Sequence, residues 1–291
     1  MSIVITGASG HLGRLVAEAV LDQTDPADVV LVSRDPSRLA DFAGRGAEVR
    51  AGNFTDPASL AGAFAGATKV LVISLDRVGA RVDAHKAAID AAAAAGAQSI
   101  AYTSAINPSD SNPIFVAHEH RETEEHLRAS GAGWTMLRNS IYTEMLLAGG
   151  ETAFTTGKHI TNEGDGRVSY VTRADCAAVA AAVLTTDGHD GKEYDVTGPE
   201  ALGAQDVAAL YAELGGRPVE VVPVDDEAYA AGLVEHAGMP EPVARIYTTF
   251  GTGTRRGYSG ALSTTVADLT GRPPTSARDV LAANRAAFQH R

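Results

Sequence analysis

The stretch Ile3–Gly13 reads I-V-I-T-G-A-S-G-H-L-G, and it decides the fold of this chain. A short apolar run, typical of a buried strand, is interrupted by glycines at positions 7, 10 and 13. The first glycine permits a sharp turn, the second lets the backbone approach a ligand without a Cβ, and the third allows close helix–sheet packing. A helix that begins here presents unpaired N–H groups to an anion. The stretch therefore predicts a strand–turn–helix unit that binds the pyrophosphate of a dinucleotide.

Composition limits the classes of protein that this chain can belong to. Its 291 residues, 45% hydrophobic and 21% charged, suffice for one large domain or for a domain with a smaller appendage. A net charge of −12 without a basic cluster argues against nucleic acid as a partner. The sequence has neither an apolar run of about eighteen residues nor a signal peptide, so we expect no membrane partner. With Cys176 as the single cysteine, we expect a cytoplasmic protein.

Strand-like and helix-like runs alternate from the start of the chain to about Arg138. This alternation predicts an α/β fold, a Rossmann-like, doubly wound parallel sheet with right-handed crossovers. The predicted strands are Ile3–Thr6, Val29–Ser33, Glu48–Ala51, Lys69–Ile73, Ser99–Thr103 and Trp134–Leu137. The predicted helices are Leu12–Leu21, Pro36–Phe42, Pro57–Phe64, Val82–Ala95 and Glu119–Ser130.

The pattern changes after Arg138. Residues 140–166 are rich in Gly, Thr and Glu and are interpreted as loop with short helices. Further on, the sequence predicts strands at Val168–Val171 and Lys192–Val196 and a helix at Arg173–Leu184, with Thr172 as its N-cap. We therefore expect an NAD(P)-binding domain from 1–139 plus 167–199. Residues 140–166 plus 200–291 are expected to form a smaller, mostly helical substrate-binding lobe over the carboxyl ends of the strands.

Arg34 indicates which nucleotide is bound. It directly follows the second predicted strand, at the position where NAD-dependent enzymes usually carry an aspartate that bonds the ribose hydroxyls. A guanidinium group instead pairs with a 2′-phosphate, so NADPH is favoured over NADH. Arg38 is either a second phosphate contact or a surface residue, and Asp56 is either near the adenine or an N-cap. The predicted cofactor contacts are Gly7, Ser9, Gly10, His11, Leu12, Gly13, Arg34, Asn53, Phe54, Ile73, Ser74, Leu75 and Asn139.

The wider G-x-x-G-x-x-G spacing resembles the short-chain dehydrogenase/reductase superfamily. Its extended members carry Tyr-x-x-x-Lys on the fifth long helix, where the tyrosine donates a proton. The run H-R-E-T-E-E-H-L matches the frame of that helix, which places His120 at the lysine position and Val116 at the tyrosine position. Because valine cannot donate a proton, the chain lacks the acid/base pair of carbonyl reduction. It is then either a nucleotide sensor or a reductase of an acceptor that needs little acid catalysis, such as a quinone.

Longer motifs make the resemblance more specific. The stretches H-E-H-R-E-T-E-E-H-L-R-A-S-G (118–131) and G-W-T-M-L-R-N-S-I-Y-T-E-M (133–145) resemble the NmrA-like atypical branch of that superfamily, in particular the bacterial type 2 NAD(P)H:quinone oxidoreductases. T-R-A-D at 172–175 and G-K-x-Y-x-x-x-G at 191–198 continue the match. The chain departs from the family at Ser140-Ile141, where Gly-Trp is usual, and at Met145, where Asn is usual.

The resemblance implies an NADPH-dependent reductase that passes hydride to a small quinone-type acceptor without a flavin or a metal. Asn139 and Tyr142 fall in the family's nicotinamide-side loop. His120 and Tyr142 are the candidate catalytic residues. The alternative for His120 is a polar residue at the start of a helix, and the alternative for Tyr142 is a core residue. The alternatives are a non-catalytic NADP(H)-sensing regulator of the NmrA type, and a reductase or isomerase of another small molecule. A homodimer is compatible with the sequence.

The remaining titratable residues are expected to be structural. His118 and His120 fall on different faces of a helix, so we expect no metal site. His85 and the acidic run at 122–125 are expected on solvated helix faces. Arg138 is expected in an ion pair, and Cys176 is expected to be a buried thiol.

Overall fold

The computed structural model describes residues 2–285 and contains a central sheet of seven parallel strands. The strands are β1 (Ile3–Ile5), β2 (Val29–Ser33), β3 (Glu48–Ala51), β4 (Lys69–Val72), β5 (Ser99–Ala105), β6 (Gly133–Asn139) and β9 (Lys192–Val196). Their order is β3-β2-β1-β4-β5-β6-β9, so the sheet is doubly wound from β1 outward. The predicted Rossmann-like α/β class is confirmed.

Helices cover both faces of this sheet. They are α1 (His11–Leu21), α2 (Ala40–Ala43), α3 (Leu60–Ala63), α4 (Val82–Ala94), α5 (Phe115–Ala129) and α7 (Arg173–Thr185). Alternate residues of the strands point to opposite faces. Ile3 and Ile5 are therefore buried in one apolar cluster with α1 and α7, and Val4 in another with α3 and α4.

The later part of the chain forms a third apolar cluster around Tyr211 and Leu281. The elements of this later part begin with α6 (Met145–Thr156), β7 (Lys158–Thr161), β8 (Arg167–Val168), β10 (Leu202–Gly203), α8 (Ala204–Gly215) and β11 (Glu220–Pro223). These are followed by α9 (Asp226–Ala237), α10 (Glu241–Arg255), α11 (Thr265–Thr270) and α12 (Ala277–Ala283). Two small sheets pair β8 with β10 and β7 with β11. No helix within residues 2–285 is long and apolar enough to cross a membrane.

Several predicted elements differ from the observed ones. Residues 140–166 hold a twelve-residue helix and a strand rather than loop with short helices. This helix contains two adjacent glycines, and tertiary contacts stabilise it: the Tyr211 hydroxyl donates to the Leu146 carbonyl at 2.6 Å. The helices predicted at Pro36–Phe42 and Pro57–Phe64 are each a 3₁₀ turn followed by one short helix.

Differences at element ends are smaller. The strand predicted at Val168–Val171 is limited to β8, and Val171 forms only an isolated bridge with Tyr142. Helix α5 begins at Phe115, before the predicted start at Glu119. The predicted cap of α7 is present, since the Thr172 side chain accepts from the Asp175 N–H.

Candidate functional site

The glycine loop between β1 and α1 has the conformation that its sequence requires. Gly7 has a φ of +59°, in the left-handed region that favours glycine. A Cβ on Gly13 would lie 2.2 Å from the Gly7 carbonyl oxygen, so the helix and the loop are in direct backbone contact. Gly10 is the N-cap of α1 and has no side chain to cap the first turn. The N–H groups of that turn therefore lack intrahelical partners and are suited to a phosphate group.

The end of β2 presents two guanidinium groups. Arg34 and Arg38 are exposed, and within residues 2–285 no carboxylate forms an ion pair with either of them. Asp35 caps the following 3₁₀ turn, since its carboxylate accepts from the Ser37 N–H at 3.1 Å. The neighbouring acidic group is therefore engaged elsewhere. This arrangement fits an anionic group at the position of a ribose 2′-phosphate.

These elements border a cleft of about 580 Å³ at the carboxyl ends of the central strands. All the predicted cofactor contacts except Asn139 lie on its wall, and so do Arg38 and Tyr142. The loop and the polar strand end fit a dinucleotide: backbone donors stand at the glycine turn and free guanidinium groups stand at the end of β2. Within the described part of the chain, no group of three His, Cys, Asp or Glu residues is placed to hold a metal ion.

Buried hydroxyl groups hold the strand ends in register under the cleft. The Ser33 hydroxyl donates to the Ser9 hydroxyl at 2.8 Å, which ties the glycine loop to β2. Thr6 accepts from the Ile73 N–H at 3.0 Å, and Thr103 accepts from the Ser74 N–H at 2.8 Å. The predicted contacts Ile73 and Ser74 therefore lie on backbone that neighbouring strands fix in place.

Asn53 and Asp56 follow β3. The Asn53 side-chain oxygen accepts from the Thr55 N–H at 3.2 Å, which leaves its amide nitrogen for another partner. Asp56 stands at the N-cap position of a 3₁₀ turn, but its side chain caps nothing there. Asn53 is therefore oriented as an amide donor at this edge of the cleft.

Asn139 and Tyr142 form a hydrogen-bonded pair, of which only Tyr142 lies on the wall of the cleft. Asn139 Nδ2 donates to Tyr142 Oη at 3.3 Å, and within residues 2–285 the buried Asn139 Oδ1 has no hydrogen-bond partner. The guanidinium group of Arg173 lies 4.6 Å from the centroid of the Tyr142 ring. Burial raises the pKa of Tyr142, so its hydroxyl stays protonated at neutral pH. Tyr142 both lines the cleft and packs against the apolar core.

His120 lies behind the cleft rather than on its wall. It is 5% exposed, 2.8 Å from the Tyr102 hydroxyl and 3.2 Å from the guanidinium group of Arg81. Burial, with the Arg81 cation, lowers the pKa of His120 well below its usual value. This placement argues against the predicted proton-donor or ribose-binding role. A buried neutral imidazole that faces the interior reaches neither the acceptor nor the nicotinamide ribose.

The tyrosine position of the superfamily is occupied by an apolar cluster. Val116 is buried with Ile114 and Ala117 at the start of α5. Val78, on the loop that follows β4, and Phe250 of α10 pack against them. Within residues 2–285, the side chains of this cluster around Val116 are apolar.

Two expectations about solvated residues were wrong. His85 is fully buried, and Glu124 is 1% exposed and accepts from Arg138 Nη2 at 2.7 Å. The ion pair expected of Arg138 is present, and Cys176 is buried, which raises the pKa of its thiol. The sequence gives no sign of the burial of His85 and Glu124, because their partners lie on other elements.

Sequence reasoning also missed cleft residues on the loop after β4. Asp76, Arg77 and Arg81 line the cleft together with Thr103. The only available signal was their position after a strand end, where ligands of parallel sheets bind.

Comparison with known proteins agrees with this geometry. The profile of the family described as NAD(P)H-binding matches residues 7–187. Quinone oxidoreductase 2 of Escherichia coli is 36% identical over 274 residues, 94% of this chain and 95% of that protein. NAD(P)H azoreductase of Xenophilus azovorans is 29% identical, covering 98% and 99%. A crystal structure of the NADPH-dependent quinone oxidoreductase of E. coli in complex with NADPH superimposes with a TM-score of 0.92, covering 99% of this chain and 100% of that one at 35% identity.

Proposed function

Because the chain belongs to the NAD(P)H-binding family, we propose that it transfers hydride from NADPH to a quinone-type acceptor. The chain is an NAD(P)H-dependent reductase. What we propose beyond this is that the cofactor is NADPH and that the acceptor is of the quinone type. The single observation that carries the acceptor assignment is the apolar cluster at Val116. A reductase without an acid at this position suits an acceptor whose negative charge is delocalised, so that solvent can protonate it.

The cofactor assignment rests on the glycine loop and on β2. The N–H groups of the first turn of α1 bind the pyrophosphate, and Arg34 with Arg38 binds the 2′-phosphate. Asn53 and Phe54 border the adenine, and Ile73, Ser74 and Leu75 border the nicotinamide ribose. When bound, NADPH would supply a hydride, which carries two electrons and one hydrogen, and the resulting acceptor anion would take up one proton from solvent.

Tyr142 is the proposed contact to the acceptor oxygen. Its oxygen accepts from Asn139, which leaves its own hydrogen free for donation. A hydrogen bond to the oxygen on which charge develops lowers the barrier without complete proton transfer. We assign no proton transfer to His120. Residues 1–139 plus 167–199 form the cofactor domain in this proposal, and residues 140–166 plus 200–291 form the acceptor lobe.

The test is anaerobic NADPH consumption with benzoquinone and menadione, followed by the loss of absorbance at 340 nm. We expect one NADPH consumed per quinone reduced, without added flavin or metal. Tyr142→Phe should lower kcat by about ten-fold, the value of one charge-assisted hydrogen bond. The matched control is Tyr247→Phe, which alters an exposed ring on α10 and should leave kcat unchanged. Tight NADPH binding without turnover of any quinone would contradict the acceptor assignment.

A further inference from the structure

A buried polar cluster lies behind the loop that follows β4. The Leu75 N–H donates to His85 Nε2 at 2.9 Å, and Arg81 Nη1 donates to the Leu75 carbonyl at 2.8 Å. Glu119 accepts from Arg81 Nε at 2.9 Å and from the Gly79 N–H at 2.8 Å. We call Arg81, His85 and Glu119 the clamp. Their side chains therefore fix both ends of the segment 75–81.

The hydrogen bonds of His85 define its protonation state. Because Nε2 accepts from a backbone N–H, the ring proton is on Nδ1, which faces the hydroxyls of Thr123 at 3.3 Å and Tyr102 at 3.4 Å. Burial and the Arg81 cation lower the pKa of His85 to about 3. The imidazole is therefore neutral at physiological pH, and the bond to Leu75 persists there.

Burying the charged groups of the clamp carries a desolvation cost, which indicates that these residues have a role other than stabilising the fold. Arg81 is 5% and Glu119 is 7% exposed, and apolar residues of similar volume often stabilise a core equally well. All its bonds to backbone converge on the loop that borders the cleft at Leu75 and Arg81. The N–H and the carbonyl of Leu75 are both engaged by side chains of the clamp. This part of the wall therefore has one fixed backbone conformation.

We propose that Arg81, His85 and Glu119 are positioning residues that set the wall of the nicotinamide half of the cleft before the cofactor binds. His85 and Glu119 act on the ligand by holding the loop 75–81, whereas Arg81 both holds the loop and lines the cleft. The inference builds on the proposed function only in placing the nicotinamide at this end. Its test measures NADPH binding alone, so inactivity toward quinones would leave it unaffected.

The first experiment compares the dissociation constant for NADPH, measured by nicotinamide fluorescence on the full chain, among four variants. Glu119→Gln places an amide where two donors need an acceptor, and His85→Leu removes the acceptor of the Leu75 N–H. Each should weaken NADPH binding by about ten-fold, the order of one buried hydrogen bond. His85→Gln, whose side-chain oxygen can accept the same N–H, should recover most of the affinity.

Glu124→Gln is the matched control. Glu124 is also a buried glutamate of α5 paired with arginine, but it contacts Arg138 and Arg128 rather than the loop. We expect its melting temperature to fall and its affinity for NADPH to stay within about two-fold of the parent, below half a kcal/mol. Equal losses of affinity in Glu124→Gln and Glu119→Gln would overturn the proposal, because both would then reflect stability alone.

A second measurement needs no variant. In hydrogen exchange without cofactor, the amides of Leu75 and Gly79 should be protected, since buried side chains accept from both. Exchange as fast as that of an exposed loop would show that the wall is not set in advance and would overturn the proposal.

Discussion

Replacing Gly13 by alanine tests the contact between the glycine loop and α1. The new Cβ would lie 2.2 Å from the Gly7 carbonyl oxygen and 2.8 Å from Ala8 Cα, whereas comfortable contacts are roughly 3.5 Å. Because both neighbours are backbone atoms, the helix and the loop must separate by about 1 Å. Overpacking of this kind costs up to about 3 kcal/mol. The higher helix propensity of alanine than of glycine offsets about 1 kcal/mol of this cost. We expect a net loss of about 2 kcal/mol in the free energy of unfolding, by this balance.

The assay is thermal unfolding of three variants, together with NADPH titration. A loss of about 2 kcal/mol lowers the melting temperature of a protein of this size by roughly 4–8 °C. Gly62→Ala, with no atom within 4 Å of the new Cβ, should unfold no earlier than the parent. Gly10→Ala meets only the Gly7 oxygen, at 3.2 Å, so it should lose less stability than Gly13→Ala. It should also lower NADPH affinity, because its Cβ stands where the backbone approaches the pyrophosphate. If Gly13→Ala retained the melting temperature of the parent, the inferred tight packing would be refuted.

Three further predictions follow from the same structure. Arg34→Asp should weaken NADPH binding at least about ten-fold while changing NADH binding little, as charge reversal at a phosphate requires; equal losses in competition titrations would contradict the cofactor assignment. The pKa values of His85 and His120 are lower in the folded state than in the unfolded state. Their contribution to stability is therefore present above about pH 6.5 and falls by up to about 1.4 kcal/mol per pH unit for each histidine as the pH is lowered. Urea unfolding between pH 7 and 5 measures this loss, and a stability that does not change with pH would contradict it. Glu124→Ala removes the buried partner of Arg138 and leaves it only the more exposed Glu193, which also pairs with it at 2.6 Å. The variant should lower the free energy of unfolding by about 3 kcal/mol in chemical denaturation; an unchanged midpoint would show that the pair with Glu193 is sufficient.

The nucleotide end of the cleft was predictable because its signals are local. The strands Val29–Ser33, Glu48–Ala51 and Lys192–Val196 have the predicted bounds. The first is an apolar run, and the other two are short segments that contain Val or Tyr and lie next to turn-forming glycines. The glycine spacing and Arg34 likewise have their meaning within a few residues of a strand end. The strand–turn–helix unit and the ends of β2, β3 and β4 together place all of the predicted cofactor contacts except Asn139 on the wall of one cleft.

The other end of the cleft was not predictable in the same way. The burial of Arg81 and His85 depends on Glu119 and on Tyr102, which belong to other elements of the fold. Read alone, a histidine in the first turn of a helix is typical of a solvated face. The segment that forms α6 contains two adjacent glycines, so its helix depends on packing that no local propensity reveals.

The replacement of the superfamily's lysine by His120 links the clamp to the absence of a catalytic acid. A lysine at residue 120 would have to reach the cleft as a cation, whereas a neutral histidine can be buried against Tyr102 and Arg81. Once the side chain at 120 faces inward, the acidifying partner of a tyrosine at 116 is gone, and valine can occupy that position and pack with Ile114. The same helix then supplies Glu119 to hold the loop at Gly79. In the proposed function, the helix that carries the acid in carbonyl reductases shapes the cleft instead, which suits an acceptor that needs to be oriented more than protonated.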